Sequence, residues 1–288
     1  MAIGLTQHTL KVDLIGSGSS PMTTPAVDTS AASGTVTILV AVGLQNTGTL
    51  QGLADNKGNS YTRYNLTTYA GGGGGVAFFH CENASIGTGH TFSLTKASGY
   101  TTNEATLLVA VVSNSLGAVP IITYDTTGTW GGAIVPSAIG SGLFSFWFSN
   151  DYSANTAYAV SGSTPTWTLM DQYPDATSCC SGASAWKIAT GTTSDTCTYT
   201  GSSGSAQAGQ GLYMVEVKAT ALGAALAGGA ADQATATGSI STQIKVAGAA
   251  LAVAAGSGSL TTGIKLAGVS AAVASTTGAM TTQIKLSG

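Results

Sequence analysis

Charge is the scarcest property of this 288-residue sequence. Charged residues make up 7% of it, against about 25% in an ordinary soluble protein. There is one arginine, Arg63, and the net charge is −3, so the basic footprint that nucleic-acid binding needs is missing. Histidine is nearly absent too: His8, His80 and His90 are the full set, and no Gly-x-Ser-x-Gly accompanies them. Serine and threonine are so abundant that their presence carries no catalytic message, and the 12 carboxylates are scattered. No enzyme activity and no cofactor is expected. The four cysteines, Cys81, Cys179, Cys180 and Cys197, include no Cys-x-x-Cys pair, which argues against a zinc site. The N-terminus lacks a basic segment followed by an apolar core, so no secretory signal peptide is expected. The longest lipid-like run, Val246 to Ala255, is half the roughly 20 residues of a membrane span. Synthesis in a host cytoplasm without membrane insertion follows as an expectation. Low charge does not mean disorder here, because 43% of the residues are apolar and many are β-branched.

What the sequence does have is repetition. Ser239-Ile-Ser-Thr-Gln-Ile-Lys245 returns as Ser259-Leu-Thr-Thr-Gly-Ile-Lys265 and as Ala279-Met-Thr-Thr-Gln-Ile-Lys285. The lead-ins Leu226-Ala-Gly228, Val246-Ala-Gly248 and Leu266-Ala-Gly268 keep the same register, which defines units 226–245, 246–265 and 266–285. A fixed period of this length marks a unit that buries its apolar side only by stacking on neighbours or on other chains. Alanine-rich pieces such as Ala247 to Ala255 favour helix. The strict alternation of Ile240, Thr242, Ile244 and Val246, with glycine breaks, favours two short strands per unit. Three chains wound into a spiral, or a stacked solenoid, would satisfy such a segment. Ile240, Ile244, Leu260, Ile264, Met280 and Ile284 share one phase and are the expected packing and oligomerisation residues. Lys245, Lys265 and Lys285 share the other phase, as a solvated stripe or as a contact for an acidic partner.

Residues 1–219 read differently. Thr35-Val-Thr-Ile-Leu-Val-Ala-Val42 is a continuous β-branched run, the pattern of a strand covered on both faces. Val76–Cys81, His90–Thr95, Ala105–Val112, Gly142–Ser149, Ala185–Ala189, Thr196–Thr200 and Gly211–Val217 read as further strands between Gly/Ser turns. About ten short strands without a convincing helix predict an all-β, jelly-roll-like sandwich over 1–219. A repetitive β segment over 220–288 follows it.

Two of these stretches have a familiar form. Leu260-Thr-Thr-Gly-Ile-Lys-Leu-Ala-Gly268 and its cognates resemble repeats at the ends of tailed-bacteriophage virion proteins. Leu53-Ala-Asp-Asn-Lys-Gly-Asn-Ser-Tyr-Thr62, with Ala77-Phe-Phe-His-Cys81 and Thr91-Phe-Ser-Leu-Thr95, resembles a phage β-sandwich module. The resemblance implies a non-enzymatic fibre, tail or capsid-decoration component. It implies a homotrimer among other virion proteins and supplies no catalytic residue. A bacterial surface adhesin that binds carbohydrate is the alternative with the same architecture.

The remaining candidate sites come from single residues. Cys197 could pair with Cys179 or Cys180, closing a short loop; buried free thiols are the alternative. Asp55, Asn56 and Asn59 surround Gly58 as calcium ligands do, but the loop is short, lacks a distal Glu and reads as a hairpin turn. Tyr152, Tyr158 and Tyr173, set among Asn and Asp, are candidates for contact with a host surface glycan, and the Trp130-Gly-Gly loop is another. The other reading is that they cap the edge of the sandwich.

Overall fold

Two of the four strands buried at every position, Thr37–Leu44 and Gly142–Ser149, set the architecture. A strand apolar on both faces needs a covering layer on each side. The computed structural model supplies both. It describes residues 3–14, 16, 18–69, 74–125, 130–149, 156–174, 180–202 and 209–219, and the backbone of 225–227, 232–237, 240–247, 252–257, 260–267, 272–277 and 280–287. The chain divides into two compact units, Met1–Thr220 and Ala221–Gly288. All regular structure is β apart from one 3-10 turn at Thr47–Thr49, among the described residues.

The first unit contains strands β1 (Gly4–Asp13), β2 (Met22–Thr23), β3 (Thr37–Leu44), β4 (Leu50–Asp55), β5 (Thr62–Thr68), β6 (Gly75–Glu82), β7 (Phe92–Lys96) and β8 (Ala105–Ser113). It continues with β9 (Ile121–Asp125), β10 (Gly131–Ile134), β11 (Gly142–Ser149), β12 (Tyr158–Gly162), β13 (Thr168–Tyr173), β14 (Ser181–Ile188), β15 (Asp195–Gly201) and β16 (Gln210–Val217). The first eight form a five-stranded sheet, β1-β8-β3-β6-β5, and a three-stranded sheet, β2-β7-β4. The second eight form β9-β16-β11-β14-β13 and β10-β15-β12. Counted from its own first strand, each half therefore has the same order, 1-8-3-6-5 over 2-7-4. Pairing of strand 1 with 8, 2 with 7 and 3 with 6 is jelly-roll winding. Even an irregularity repeats: the fifth strand of each half slips register against the sixth, between Arg63 and Asn65 and between Leu169 and Asp171. The expected sandwich is thus two successive jelly rolls, with more strands than the sequence pattern revealed.

Strand alternation sorts the side chains into three cores. Ile38, Val40 and Val42 of β3 face the small N-terminal sheet with Leu107, Val109, Phe92 and Leu94. Leu39 and Ala41 point the other way and meet Phe144, Phe146 and Phe148 of β11. Leu143 and Trp147, on the opposite phase of β11, pack with Tyr158, Trp167, Cys197 and Tyr199 against the small C-terminal sheet. The order of layers is three, five, five and three strands. Across the central core, β1 meets β13, β8 meets β14, β3 meets β11 and β6 meets β16. This is a pseudo-two-fold arrangement, the geometry of an isologous dimer made within one chain. The sheets approach closely: a Cβ on Gly43 would lie 2.6 Å from the Phe148 ring, so glycine is needed there. Each fully buried aromatic of this core stabilises by about 1.5–3 kcal/mol.

The second unit contains β17 (Ala225–Ala227), β18 (Asp232–Thr237), β19 (Ile240–Ala247), β20 (Ala252–Ser257), β21 (Leu260–Ala267), β22 (Ala272–Thr277) and β23 (Met280–Ser287). They alternate between two parallel sheets, β17-β19-β21-β23 and β18-β20-β22. Each 20-residue unit gives one strand to each sheet and pairs with the next unit of the same chain. That is a solenoid, the second of the two arrangements expected from the repeats.

Candidate functional site

Parallel pairing in the second unit turns sequence repetition into spatial rows. Ile240, Leu260 and Met280 lie in one row across the sheet, and Ile244, Ile264 and Ile284 in another. Lys245, Lys265 and Lys285 form a third. Neighbouring strands are about 4.8 Å apart, so each row places like side chains, apolar or lysine, at a regular short interval. All six residues expected to pack thus stand in ladder positions.

In the first unit the polar groups converge on closed clusters. The hairpin Asp55–Asn59 precedes β5, and its carboxylate accepts the backbone N–H of Lys57 at 2.9 Å and of Asn59 at 3.1 Å. Asn59 Nδ2 donates to it at 2.7 Å and the Tyr61 hydroxyl at 2.6 Å, while His90 Nε2 lies 2.9 Å away. Burial alone would push the Asp55 carboxyl up, but the His90, Tyr61 and Asn59 contacts outweigh it and hold the group well below the usual range. Burial, reinforced by Asp55, pushes the Tyr61 phenol far above its ordinary value. A carboxylate with this many protein donors has its acceptor capacity filled, so the calcium-like spelling of the loop is a hairpin lock. His90 Nδ1 reaches Thr29 Oγ1 at 3.0 Å, which lines up hydroxyl, imidazole and carboxylate. All three are fully buried, and the Thr29 hydroxyl is also held by Gly87, so the line is closed to a substrate.

Two lysine–aspartate pairs are equally enclosed. Lys96 Nζ lies 2.8 Å from Asp13 and donates to the Asn103 carbonyl at 2.8 Å. Lys187 Nζ lies 2.8 Å from Asp195, donates to the Ser163 carbonyl and sits 5.6 Å from the Trp167 ring centre. Trp167 Nε1 donates to Asp195 and to the Thr196 carbonyl. Glu216, fully buried on β16, accepts from the Ser137 N–H and hydroxyl. The sequence did carry a signal for these groups. Glu216 interrupts the apolar strand Leu212–Val217 and Lys187 follows Trp186, and a charge set in a core strand demands a partner. His8 is different: it is over a third exposed and lies 2.8 Å from Asp171, joining edge strands of the two jelly rolls. The Asp171 hydrogen bond raises its pKa against the opposing pull of burial.

Of the expected pairings of Cys197 with Cys179 or Cys180, the one with Cys180 is corrected: Cys197 and Cys81 are buried free thiols, and Cys180 is buried apart from Cys197. Cys180 abuts Glu104 and Thr106 of the first jelly roll, whereas Cys197 lies in the core beyond the β11–β14 layer. Burial pushes the Cys197 thiol up to about 12 and the Cys81 thiol up to about 11. Cys179 and Tyr152 lie outside the described residues. Tyr158 as a glycan contact is also corrected, because it is buried edge-on against Trp147 with ring centres 4.9 Å apart. Tyr173 is half-buried on β13 opposite Gly182. Trp130, half-buried, stacks on Trp147 at 5.2 Å and 11°.

Among the described residues, no group of three or more His, Cys, Asp or Glu converges as a metal site, and no helix is long and apolar enough to cross a membrane. No protein-family model matches the chain, and no curated protein matches it.

Proposed function

We propose that this protein is a structural component of a bacteriophage virion, a capsid decoration or a head or tail fibre protein that acts in assembly and surface display. The observation that carries the reading is the in-register ladder of 20-residue repeats. It forms a self-stacking solenoid that follows a charge-poor, multi-layered β unit in the chain. Such a chain invests its residues in shape: its buried polar groups tie loops to sheets, and its repeats extend a surface. Homotrimeric assembly and contacts with capsid or tail proteins belong to the same proposal, as does passage from host cytoplasm to particle. An antibody against the purified chain tests it, by electron microscopy of phage particles from the producing host. Labelling at discrete capsid or tail positions is expected, and unlabelled particles would end the reading. Light scattering of the full-length protein should give three chains; a monomer at micromolar concentration would remove the trimer.

A further inference from the structure

We propose that the lysine row of the repeats is a docking track for a linear polyanion, a polysaccharide that carries one carboxylate on each sugar ring. Charge is divided unevenly along the chain. Residues 1–219 hold 6 of the 9 basic and 11 of the 12 acidic side chains, a net of −5. Residues 220–288 hold Lys245, Lys265 and Lys285 against Asp232, a net of +2. The parallel register sets those three lysines beside one another on β19, β21 and β23, so all the basic charge of the second unit falls on one line. None of the four strands in that sheet contains Asp or Glu, and Asp232 opens β18, in the other sheet. In the first unit, by contrast, Lys96 and Lys187 each lie 2.8 Å from an aspartate, and Lys11 lies 3.5 Å from Asp13.

Like charges set side by side across a ladder destabilise it, so an uncompensated row calls for a cause. Lysine guards a sheet margin against stray pairing, but β19 and β21 each have a neighbour on both sides. That role therefore does not reach Lys245 or Lys265. Solvation does not require lysine either, since the glutamines and threonines of the same strands keep a face polar without repulsion. An anion laid along the row relieves the repulsion. Its charge must recur at about the strand spacing, roughly 4.8 Å, which is the scale of one sugar ring.

The neighbouring rows narrow the ligand class. Positions two apart along a strand share a face. The lysine row is thus flanked by Gln243, Gly263 and Gln283 on one side and by Ala247, Ala267 and Ser287 on the other. Glutamine amides both donate to and accept from hydroxyls, as a sugar ring requires. A polyphosphate offers acceptors alone and leaves half of that capacity unused. Three charges in line also set a length: a ligand of three or more rings engages them together and gains from effective concentration, whereas a single ring does not. This inference does not rest on the virion reading, because it needs only the register of the repeats.

The test is a titration of fluorescein-labelled galacturonate, trigalacturonate and hexagalacturonate with the full-length protein at low salt, read by fluorescence anisotropy, with labelled dextran as the uncharged control. The hexamer and the trimer should bind with a Kd on the order of 0.1 mM, the single ring at least about tenfold more weakly and dextran not at all. Salt at about 0.5 M should remove the binding. Lys265→Gln, which interrupts the row, should weaken the hexamer about tenfold, and Lys245→Gln/Lys265→Gln/Lys285→Gln should abolish binding with an unchanged circular dichroism spectrum. Lys57→Gln/Lys218→Gln, which removes two charges outside the row, should bind as the wild type does. If the hexamer stays unbound at about 1 mM protein, tenfold above that Kd, the proposal is wrong. Equal binding by Lys265→Gln and the wild type would overturn it too, as would tighter binding of inorganic polyphosphate than of hexagalacturonate.

Discussion

Replacing Asp55 by alanine should be among the most damaging single changes in the first unit. The carboxylate and its partner His90 are both fully buried, and its donors come from Lys57, Asn59, Tyr61 and His90. Alanine removes the acceptor and leaves the Tyr61 hydroxyl and the His90 ring enclosed without it. Breaking a buried pair in this way costs about 3–5 kcal/mol, a large share of the roughly 5–15 kcal/mol that holds a native protein. For a unit of this size that corresponds to a fall in Tm of about 6–20 °C. Asp55→Asn keeps one acceptor and loses the charge, so it should fall between wild type and alanine. Urea unfolding at neutral pH, with tryptophan fluorescence as the probe, measures both. The pH dependence has a defined sign. The folded-state pKa of Asp55 is depressed, so its contribution is present above the unfolded value of about 3.9 and is lost as pH falls through the folded value. The wild type should therefore lose stability below about pH 4 more steeply than Asp55→Ala. A cost under about 1 kcal/mol, or identical acid profiles, would show that the cluster is not a lock.

Four further outcomes are expected. His8 has a raised folded pKa through Asp171, so its stabilisation is present below about pH 6.5 and lost as pH rises through the folded value. His8→Ala should flatten stability across that window by less than about 1 kcal/mol, since the pair is partly exposed; pH-resolved thermal melts read it. Cys81 and Cys197 should resist alkylation in the folded protein and react without reductant once it is unfolded, as mass spectrometry of a digest reports. Ile264→Asp inserts a charge into the Ile244–Ile264–Ile284 row and should dissolve the solenoid at a cost of several kcal/mol, leaving the jelly rolls folded. Lys265→Gln relieves like charges in its row and should stabilise the solenoid slightly; circular dichroism of the full chain follows both.

The sequence patterns that proved readable were those in which one residue type governs one geometry. Thr37–Leu44 spells a doubly covered strand because each of its residues faces a core, and the repeat offset of 20 residues reappears unchanged as ladder register. What escaped was symmetry without sequence likeness. β3 and β11 occupy equivalent places, yet one is built from Ile, Val and Ala and the other from Phe and Trp. Short strands such as Met22–Thr23 and Gly131–Ile134 hold their places by pairing with β7 and β15, which no local pattern announces. The charged clusters escaped for a related reason: Asp13 and Lys96, or Asp55 and His90, meet only after long stretches of chain have folded between them.

The position of β16 has a mechanical consequence. This strand hands the chain on to the repeats, and it lies between β11 and β9, hydrogen-bonded on both sides. Tension arriving at Val217 from the repeats cannot peel the strand from a free margin. It must break two ladders together and draw Tyr213 and Val215 out of the central core. Force at the opposite end meets β1, which among the described residues is paired with β8 alone and can open one bond at a time. The body thus grips its repetitive extension more firmly than its own N-terminal strand, and a load pulling on both would unzip the molecule from the front.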